Sequence, residues 1–355
     1  MQTRESIIAQ FFPSGIITEL KPFGNGHIND TFKVSLDGEK DDFILQRINV
    51  EVFTKPDGLV ENHFMIQEYL ETQNPELEVP SLLPVSTGGY LVMDQVKGAW
   101  RMMNFIRESH SVEIVTENSQ ASEAGGAFGW FNRVCASLDA SRFSEAIKDF
   151  HRLSFRLRQL DEAIEANKAG RVEEVQDILD FYGERREKLQ LIEKLVDAGE
   201  IPERVTHNDT KINNLLFRGN KACAVIDLDT VGPGILFYDF GDSIRTISNT
   251  AAEDEKDLDK VQFNAEAYEA FARGYLEQVK PVVTEKENEF FHLAPVLMTY
   301  IMGIRFLADY LNGDVYYKIA FPEHNIVRSR VQQKLIQCME QNGDKIRGII
   351  NEALA

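Results

Sequence analysis

Three polar residues near the middle of the chain have the types and the spacing that phosphoryl transfer requires. Asp209 lies in HNDTKINN (207–214), Asn214 follows five residues later, and Asp227 lies in VIDLD (225–229). One carboxylate can orient an acceptor hydroxyl, while an amide and a second carboxylate can bind Mg²⁺ on nucleotide phosphates. The spacing therefore predicts Asp209 as the catalytic base and Asn214 and Asp227 as ligands of one metal ion.

A β-hairpin is predicted between these residues. LLF (215–217) and ACAVIDL (222–228) flank RGNK (218–221), whose Gly-Asn pair is typical of a two-residue turn. Pairing centred on that turn places Asn214 opposite Val225, with Asp227 two residues further along the same face. Each of the three polar residues alone is more typical of a turn or a helix cap, and their combined spacing favours a metal–phosphate site.

His207 permits a second interpretation. Together with Asp209, Asp227 and Asp229 it could bind Zn²⁺ or Mn²⁺ in a metal-dependent hydrolase. We favour a His207 that hydrogen-bonds the backbone and fixes the loop that carries Asp209.

The segment YDFGDSIR (238–245) contains the letters DFG, which bind metal in protein kinases. Asp239 lies 30 residues after Asp209, however, whereas Asp227 has the separation that one hairpin supplies. Asp239 is therefore predicted to support the site, and Asp242 and Arg245 are predicted to face the acceptor.

The N-terminal part contains a candidate nucleotide-binding segment. Gly24, Asn25 and Gly26 run directly into an alternating strand, which favours a flap over phosphates, because a dinucleotide-binding or Walker loop would open a helix. On the next strand Arg47 could contact the α and β phosphates, or could be a surface cation, and Glu68 is its candidate ion-pair partner.

The elements that must position these residues fall into two regions. Residues 16–106 contain short alternating runs (31–36, 43–48, 90–94 and 100–106) and one helix near 60–72, which predicts a sheet. From about residue 120 the apolar period becomes 3.6, including Phe143, Ile147 and Phe150, which predicts helices. Gly125 and Gly129, one helical turn apart, indicate close helix packing.

Bulk composition excludes several classes of function. The 355 residues carry a net charge of −19, so nucleic acid is an unfavourable partner. The three cysteines are widely spaced and contain no CxxC pair, which fits a reducing cytoplasm. The first residues do not have the pattern of a signal peptide, and the apolar stretch 295–304 is too short to cross a bilayer. We expect a cytoplasmic protein that needs neither a membrane nor an obligate protein partner.

The motifs HNDTKINN and VIDLD resemble those of the aminoglycoside phosphotransferase superfamily. More narrowly, GNGHINDTF (24–32), FILQRIN (43–49), WRMMNFI (100–106), YDFGDSIR and GIRFLADYLNGD (303–314) resemble bacterial N-acetylhexosamine 1-kinases. The resemblance implies an α+β, bilobal protein-kinase-like fold, with a nucleotide-binding lobe over 1–106 and a helical lobe over 107–355. It also implies ATP and Mg²⁺ as cofactors and an N-acetylhexosamine phosphorylated at its anomeric hydroxyl.

The same resemblance assigns further residues. It implies that Asn104, Phe105 and Ile106 form the hinge that meets adenine, and that Arg305 contacts the substrate, although a salt bridge between helices is the alternative for this arginine. His27 and Asp229 are further candidate substrate contacts. Arg47 stands where many relatives have lysine, and it keeps the positive charge.

Other acceptors remain open within the kinase interpretation: choline, homoserine, methylthioribose or an aminoglycoside. An arginine in the acceptor pocket would disfavour the cationic ones. Outside it, a hydrolase and a catalytically silent nucleotide-binding regulator are the alternatives.

Overall fold

The computed structural model describes residues 3–24, 28–73, 77–95 and 98–355. Contacts divide the chain into two compact units. The first contains the residues up to Ser111 together with Asp139–Lys148 and Leu215–Pro233, and the second contains Val112–Leu138, Asp149–Asn214 and Gly234–Ala355. Three segments that a boundary at residue 106 assigns to the helical lobe therefore belong, by contacts, to the first unit: 107–111, 139–148 and 215–233.

An antiparallel sheet of five strands forms the centre of the first unit, in the order β1-β2-β3-β5-β4. Its strands are β1 (Ile17–Pro22), β2 (Asp30–Leu36), β3 (Phe43–Ile48), β4 (Val92–Met93) and β5 (Ala99–Asn104). Two helices accompany it, α1 (Arg4–Phe11) and α2 (Pro56–Glu71). Helix α2 begins before the predicted residue 60, because Pro56 suits the first turn of a helix.

The two faces of this sheet are covered by different helices. Phe43 and Leu45 of β3 pack in one apolar cluster with residues of α1, whereas Ile48 packs in another with Leu59 and Val60 of α2. Successive side chains of a strand point to opposite faces. Residue parity on β3 and β5 therefore decides which helix a side chain can meet.

The predicted hairpin is present, but its register differs by one residue. Strands β8 (Leu215–Arg218) and β9 (Lys221–Val225) join β6 (His110–Ser111) in a three-stranded sheet. The turn pairs Arg218 with Lys221, but a bulge between Leu216 and Phe217 brings Leu215 opposite Val225. The expected pairing of Asn214 with Val225 is therefore wrong, because a bulge inserts one extra residue into one strand.

The segment 139–148 is not the helix that its apolar spacing predicts. Apart from a 3₁₀ turn at Ala140–Arg142, it contains bends and turns. The backbone N–H of Ser144 donates to Asn62 Oδ1 at 3.0 Å, and the Ser144 carbonyl accepts from Asn62 Nδ2 at 2.7 Å. The side chain of Asn62 in α2 thus bonds the N–H and C=O groups of Ser144, which in a helix would form backbone hydrogen bonds.

The second unit is mainly helical. Its helices are α3 (Asn118–Cys135), α4 (Leu153–Ala166), α5 (Gln176–Asp197), α6 (Leu236–Ile247), α7 (Ala265–Val279), α8 (Glu285–Phe290), α9 (Ala294–Asn312), α10 (His324–Gln341) and α11 (Gly343–Leu354). The short strands β7 (Arg204–Thr206) and β10 (Gly232–Gly234) flank the polar segment in sequence.

Helices α3 and α7 pack with their backbones in close approach. A Cβ atom on Gly125 would lie 2.2 Å from the Phe271 carbonyl oxygen, and one on Gly129 would lie 2.6 Å from that of Tyr275. Real Cβ atoms do not approach backbone so closely, so glycine is required at both positions. The packing role expected for these two glycines is confirmed.

Within the described residues, one helical stretch, Glu285–Asn312, is long and apolar enough to cross a membrane by length and composition. It exceeds the ten apolar residues noted in the sequence, because α9 alone has 19 residues. Of its most apolar window, 72% is buried inside the protein, as in the core helix of a globular fold.

Candidate active site

Helix α6 stabilises the loop that carries Asp209. Both carboxylate oxygens of Asp239, a fully buried residue, accept backbone N–H groups, from His207 at 2.8 Å and from Asn208 at 2.7 Å. Burial raises the pKa of Asp239, and His207 and the two N–H groups oppose that shift. Asp239 therefore supports the loop, as predicted from its position in the chain.

Asp209 itself has two polar partners in the second unit. Its Oδ1 lies 3.0 Å from Lys211 Nζ, and its Oδ2 accepts from Asn214 Nδ2 at 3.0 Å. Burial would raise the pKa of Asp209, but Lys211, His207 and Asn214 together outweigh it and lower the pKa below its ordinary value. A carboxylate that stays ionised can accept a hydrogen bond from an acceptor hydroxyl.

Asn214 is oriented so that its amide oxygen can serve a cation. Its Nδ2 group donates to the backbone carbonyl of Asp209 at 2.8 Å and to that residue's carboxylate. Both amide hydrogens are thus used within the loop, and Oδ1 must point away from these two acceptors. An amide oxygen and a carboxylate such as Asp227 are suitable Mg²⁺ ligands, since Mg²⁺ commonly takes one or two protein ligands plus phosphates.

His207 and Asn208 fix the shape of the loop. The backbone N–H of Asp209 donates to His207 Nδ1 at 3.3 Å, which agrees with the expected structural role of this histidine. Asn208 has a left-handed backbone, with φ of +63°, a conformation that asparagine tolerates better than most residues. Its Oδ1 accepts from Thr206 Oγ1 at 2.9 Å, a contact that glycine at this position could not make.

In the first unit, Asp227 lies two residues after the end of β9 and is exposed, with a left-handed backbone of φ +60°. Beside it in sequence, Ile226 packs with Ile106, Cys223 and Ala224 in a small apolar cluster. An apolar surface of this kind beside a carboxylate suits the base of a nucleotide.

Two backbone N–H groups of the expected hinge form hydrogen bonds within the first unit. The N–H groups of Asn104 and Phe105 donate to the carbonyls of Ser81 at 3.1 Å and Asp42 at 3.0 Å. Ile106, buried in the apolar cluster, is therefore the residue whose backbone N–H suits the role in adenine binding that we predict for this segment.

Arg47 and Glu68 do not meet as expected. Glu68 is exposed on α2, which covers the Ile48 face of β3, whereas Arg47 belongs to the opposite face. In the described part of the chain Arg47 has its ion pair with Asp30, at 3.8 Å, and lies over the Trp100 ring. The candidate pair is thus wrong, because strand parity separates its members.

Asp229 is not available to a substrate. Its side chain is 3% exposed, its Oδ1 accepts from Arg101 Nη2, and its Oδ2 accepts from Asn29 Nδ2 at 2.5 Å. The expected substrate contact is corrected to a structural ion pair. The described residues also contain no group of three or more His, Cys, Asp or Glu side chains that could hold a metal ion.

Arg245, on helix α6, also forms ion pairs within the protein. Its Nε and Nη2 donate to Asp242 Oδ1 at 3.0 and 2.8 Å, and its Nη1 donates to Glu253 Oε1 at 2.8 Å. Burial alone would lower the pKa of Arg245, but the two carboxylates raise it. The expected acceptor contact of Arg245 is corrected, while that of Asp242 stays a prediction.

Arg305 lines a cavity of about 360 Å³ in the second unit. Its guanidinium lies 5.1 Å from the Phe150 ring centroid and 5.8 Å from that of Tyr317, and it forms no ion pair with any described residue. The nearby Arg156 is buried, and burial followed by the charge of Arg305 lowers its pKa to about 10. The salt bridge that was the alternative for Arg305 is therefore absent from the described structure.

Two buried residues were missed in the sequence. His151, 6% exposed, lies at hydrogen-bonding distance (2.8 Å) from the Asn208 carbonyl, and burial lowers its pKa to about 4, so its ring is neutral and Nε2–H donates. Arg101, 2% exposed, lies on β5 between Gln46 and Asp229. A single arginine among the apolar residues of WRMMNFI was the available signal for Arg101.

Of the predicted phosphate flap, only Gly24 can be placed. It is exposed, with φ of +77°, a conformation that favours glycine. Asn25, Gly26 and His27 lie outside the described residues.

Solved structures with the same fold are phosphotransferases. An aminoglycoside phosphotransferase from Alicyclobacillus acidocaldarius matches with a TM-score of 0.61 at 11% identity, covering 93% of each chain. A microcompartment-associated aminopropanol kinase matches at 0.60 and 15% identity, covering 97% of this chain and 98% of its own. Choline kinase from Cryptosporidium parvum matches at 0.52 and 18% identity, covering 94% and 93%. The fold is therefore the mixed α and β, protein-kinase-like fold, with an antiparallel N-terminal sheet and a helical C-terminal part.

Residues 19–285 match the phosphotransferase enzyme family. This match spans most of the chain, so the chain belongs to that family. Its class is that of the small-molecule kinases, which confirms the broader of the two resemblances.

Proposed function

We propose that the protein transfers the γ-phosphoryl group of ATP to the anomeric hydroxyl of an N-acetylhexosamine, giving the sugar 1-phosphate. The observation that carries the proposal is the ordered, ionised Asp209 in a loop whose backbone is fixed by Asp239. The narrower choice of acceptor rests on the sequence motifs and on the character of the cavity beside Arg305.

In this proposal Asp209 accepts a hydrogen bond from the acceptor hydroxyl and orients its oxygen for in-line transfer. Asn214 and Asp227 would hold Mg²⁺ with the nucleotide phosphates, and the ion would neutralise charge on those phosphates when bound. Lys211, which keeps Asp209 ionised, lies beside the same carboxylate and adds positive charge near the transferred group.

The cavity beside Arg305 favours a neutral acceptor over a cationic one. Three cationic side chains line it, against two carboxylates, Glu162 and Asp309; the cations are Arg156, Lys168 and Arg305. The carboxylate of Asp309 accepts hydrogen bonds from three backbone N–H groups of residues 315–317, at 2.8 to 3.0 Å. Choline and aminoglycosides carry positive charge, which two neighbouring guanidiniums would repel. The cavity volume lies within the range usual for small-ligand sites.

Contacts within the second unit connect this cavity with the Asp209 loop. Arg305 lies against the Phe150 ring, Phe150 lies 4.2 Å from the His151 ring, and His151 donates to the carbonyl of Asn208. Asn208 directly precedes Asp209. The cavity beside Arg305 is therefore connected by direct contacts to the loop of the residue that we assign as the base.

The test is Mg²⁺-dependent ATP consumption against a panel of N-acetylhexosamines, unsubstituted hexoses, choline, homoserine, methylthioribose and aminoglycosides, with phosphorus NMR of the product. We expect turnover with an N-acetylhexosamine and an anomeric phosphate signal. Phosphate on another acceptor would refute the sugar assignment, and hydrolysis without any acceptor would favour a hydrolase.

Arg305→Ala provides the matched test of the acceptor site. We expect the KM for the acceptor to rise about 10- to 100-fold, the loss of one charged hydrogen bond, with the KM for ATP unchanged. Arg330→Ala is the control, because Arg330 pairs with Asp177 on the surface of the same unit. An equal effect in both variants would remove Arg305 from the substrate site.

We further propose that the enzyme acts in the cytoplasm without an obligate partner, in keeping with three buried, unpaired cysteines.

A further inference from the structure

The turn that follows β9 is held by a buried polar cluster in the first unit. Asp227 opens this turn with its left-handed backbone, and a 3₁₀ turn over Leu228–Thr230 follows. Aspartate tolerates this conformation better than most non-glycine residues, and contacts of the turn residues that follow can hold it. Asp229, two residues after Asp227, makes the contacts that can do so.

Arg101 supplies the first of these contacts. Its Nη2 donates to Asp229 Oδ1, and its Nε and Nη2 donate to Gln46 Oε1 at 2.9 and 2.5 Å. Gln46 of β3 thus orients the guanidinium from the neighbouring strand. Arg101 Nη1 is buried without a hydrogen-bond partner among the described residues. Satisfying every hydrogen bond of the guanidinium therefore does not explain the position of this arginine.

Asn29 supplies the second contact and comes from a different element. Its Nδ2 donates to Asp229 Oδ2 at 2.5 Å, while its Oδ1 accepts the backbone N–H of Asn49 at 2.8 Å. Asn29 lies immediately before β2 and five residues after Gly24. The start of β2 is therefore connected, through the side chain of Asn29, to the turn that presents Asp227.

We propose that Asn29 and Arg101, acting through Asp229, are positioning residues that set the affinity of Asp227 for the metal ion of the nucleotide. We call Asn29, Asp229 and Arg101 the turn tether. The inference rests on the proposed function in one respect, the assignment of Asp227 as a metal ligand. It adds a determinant that the motif spacing does not contain, because Asn29 and Arg101 are 200 and 128 residues from Asp229.

The test measures metal binding without any acceptor or turnover. Mn²⁺ binding to the purified protein in the presence of ADP is followed by electron paramagnetic resonance, with ADP alone subtracted. Asn29→Ala leaves the buried ion pair intact, and Arg101→Lys keeps its charge, so both variants are expected to fold. We expect Mn²⁺ to bind about tenfold more weakly in each, the usual effect of altering a residue that orients a ligand.

Two further variants separate the possible outcomes. Glu287→Gln breaks a comparably buried ion pair, with Arg204 in the second unit, and should lower the melting temperature while leaving Mn²⁺ affinity within twofold. Asp227→Ala should abolish the protein's contribution to Mn²⁺ binding.

Unchanged Mn²⁺ affinity in both tether variants, with Asp227→Ala still defective, would overturn the tether alone. Unchanged affinity in Asp227→Ala would overturn the metal assignment and the tether together. A failed acceptor panel would leave this measurement intact, because no acceptor takes part in it.

Discussion

Replacement of Asp209 by asparagine should separate catalysis from stability. Asp209→Asn removes the ion pair with Lys211, whose side chain is 41% exposed, and weakens one hydrogen bond from Asn214. An exposed ion pair contributes about 0–1 kcal/mol and a hydrogen bond about 1 kcal/mol, so unfolding should become easier by only about 1–2 kcal/mol. The second bond of Asn214, to the Asp209 carbonyl, is retained.

The catalytic effect should be much larger. Loss of a positioned base lowers kcat by about 10²- to 10⁴-fold, which corresponds to about 3–5 kcal/mol of transition-state stabilisation. Steady-state kinetics with the identified acceptor gives kcat, and urea unfolding gives the stability. ATP binding, measured by calorimetry, should persist in the variant.

Asp161→Asn is the matched control, because Asp161 accepts two hydrogen bonds from Arg186 on the surface of the same unit. It should change neither kcat nor ATP binding. A kcat of Asp209→Asn within tenfold of the wild type would refute the assignment of Asp209 as the base. A stability loss above about 4 kcal/mol would show that the carboxylate is chiefly structural.

Two further predictions concern the pH profile and the helix packing. Because Lys211 helps to lower the pKa of Asp209, activity of the wild type should persist as pH falls until that lowered pKa is reached. In Lys211→Met the effect of burial on the pKa of Asp209 is less opposed, so the acidic limb of the kcat profile should move to higher pH. An unmoved limb would contradict the assignment of Asp209 as the base. Gly125→Ala should destabilise the protein by about 1–3 kcal/mol in urea unfolding, because the added Cβ would meet the Phe271 carbonyl. Gly126→Ala, with open space around its Cβ, should be neutral or stabilising by up to about 1 kcal/mol. Equal effects of the two substitutions would refute the packing argument.

The sequence is most informative where one local rule decides the structure. The Gly219–Asn220 turn, the strands beginning near Asp30 and Phe43, and the glycines of α3 follow from turn chemistry, alternation and helical spacing. The assignment of Asp209, Asn214 and Asp227 rests on equally local spacing and stays a prediction. These features could be predicted because they depend on residues within about 20 positions of one another.

The errors have a different physical origin. A bulge changed the hairpin register by one residue, and strand parity placed Arg47 on the face away from α2. Asp229 and Arg245 were expected at a substrate because they are charged near the motif, but each has a buried partner that fixes it. Arg101 could not be paired with Asp229 from spacing, because the contact depends on how the sheet and hairpin come together.

The close fit between Asn208 and Gly234 has an evolutionary consequence. A Cβ on Gly234 would lie 2.2 Å from Thr206 Oγ1 and 2.6 Å from Asn208 Oδ1, so the glycine is required by its neighbours' side chains. A side chain at 234 therefore requires the side chains of Thr206 and Asn208 to move aside or to be replaced by smaller ones. These three positions should therefore change together during divergence, and a lineage that acquired asparagine after the motif histidine would lose the freedom to vary position 234.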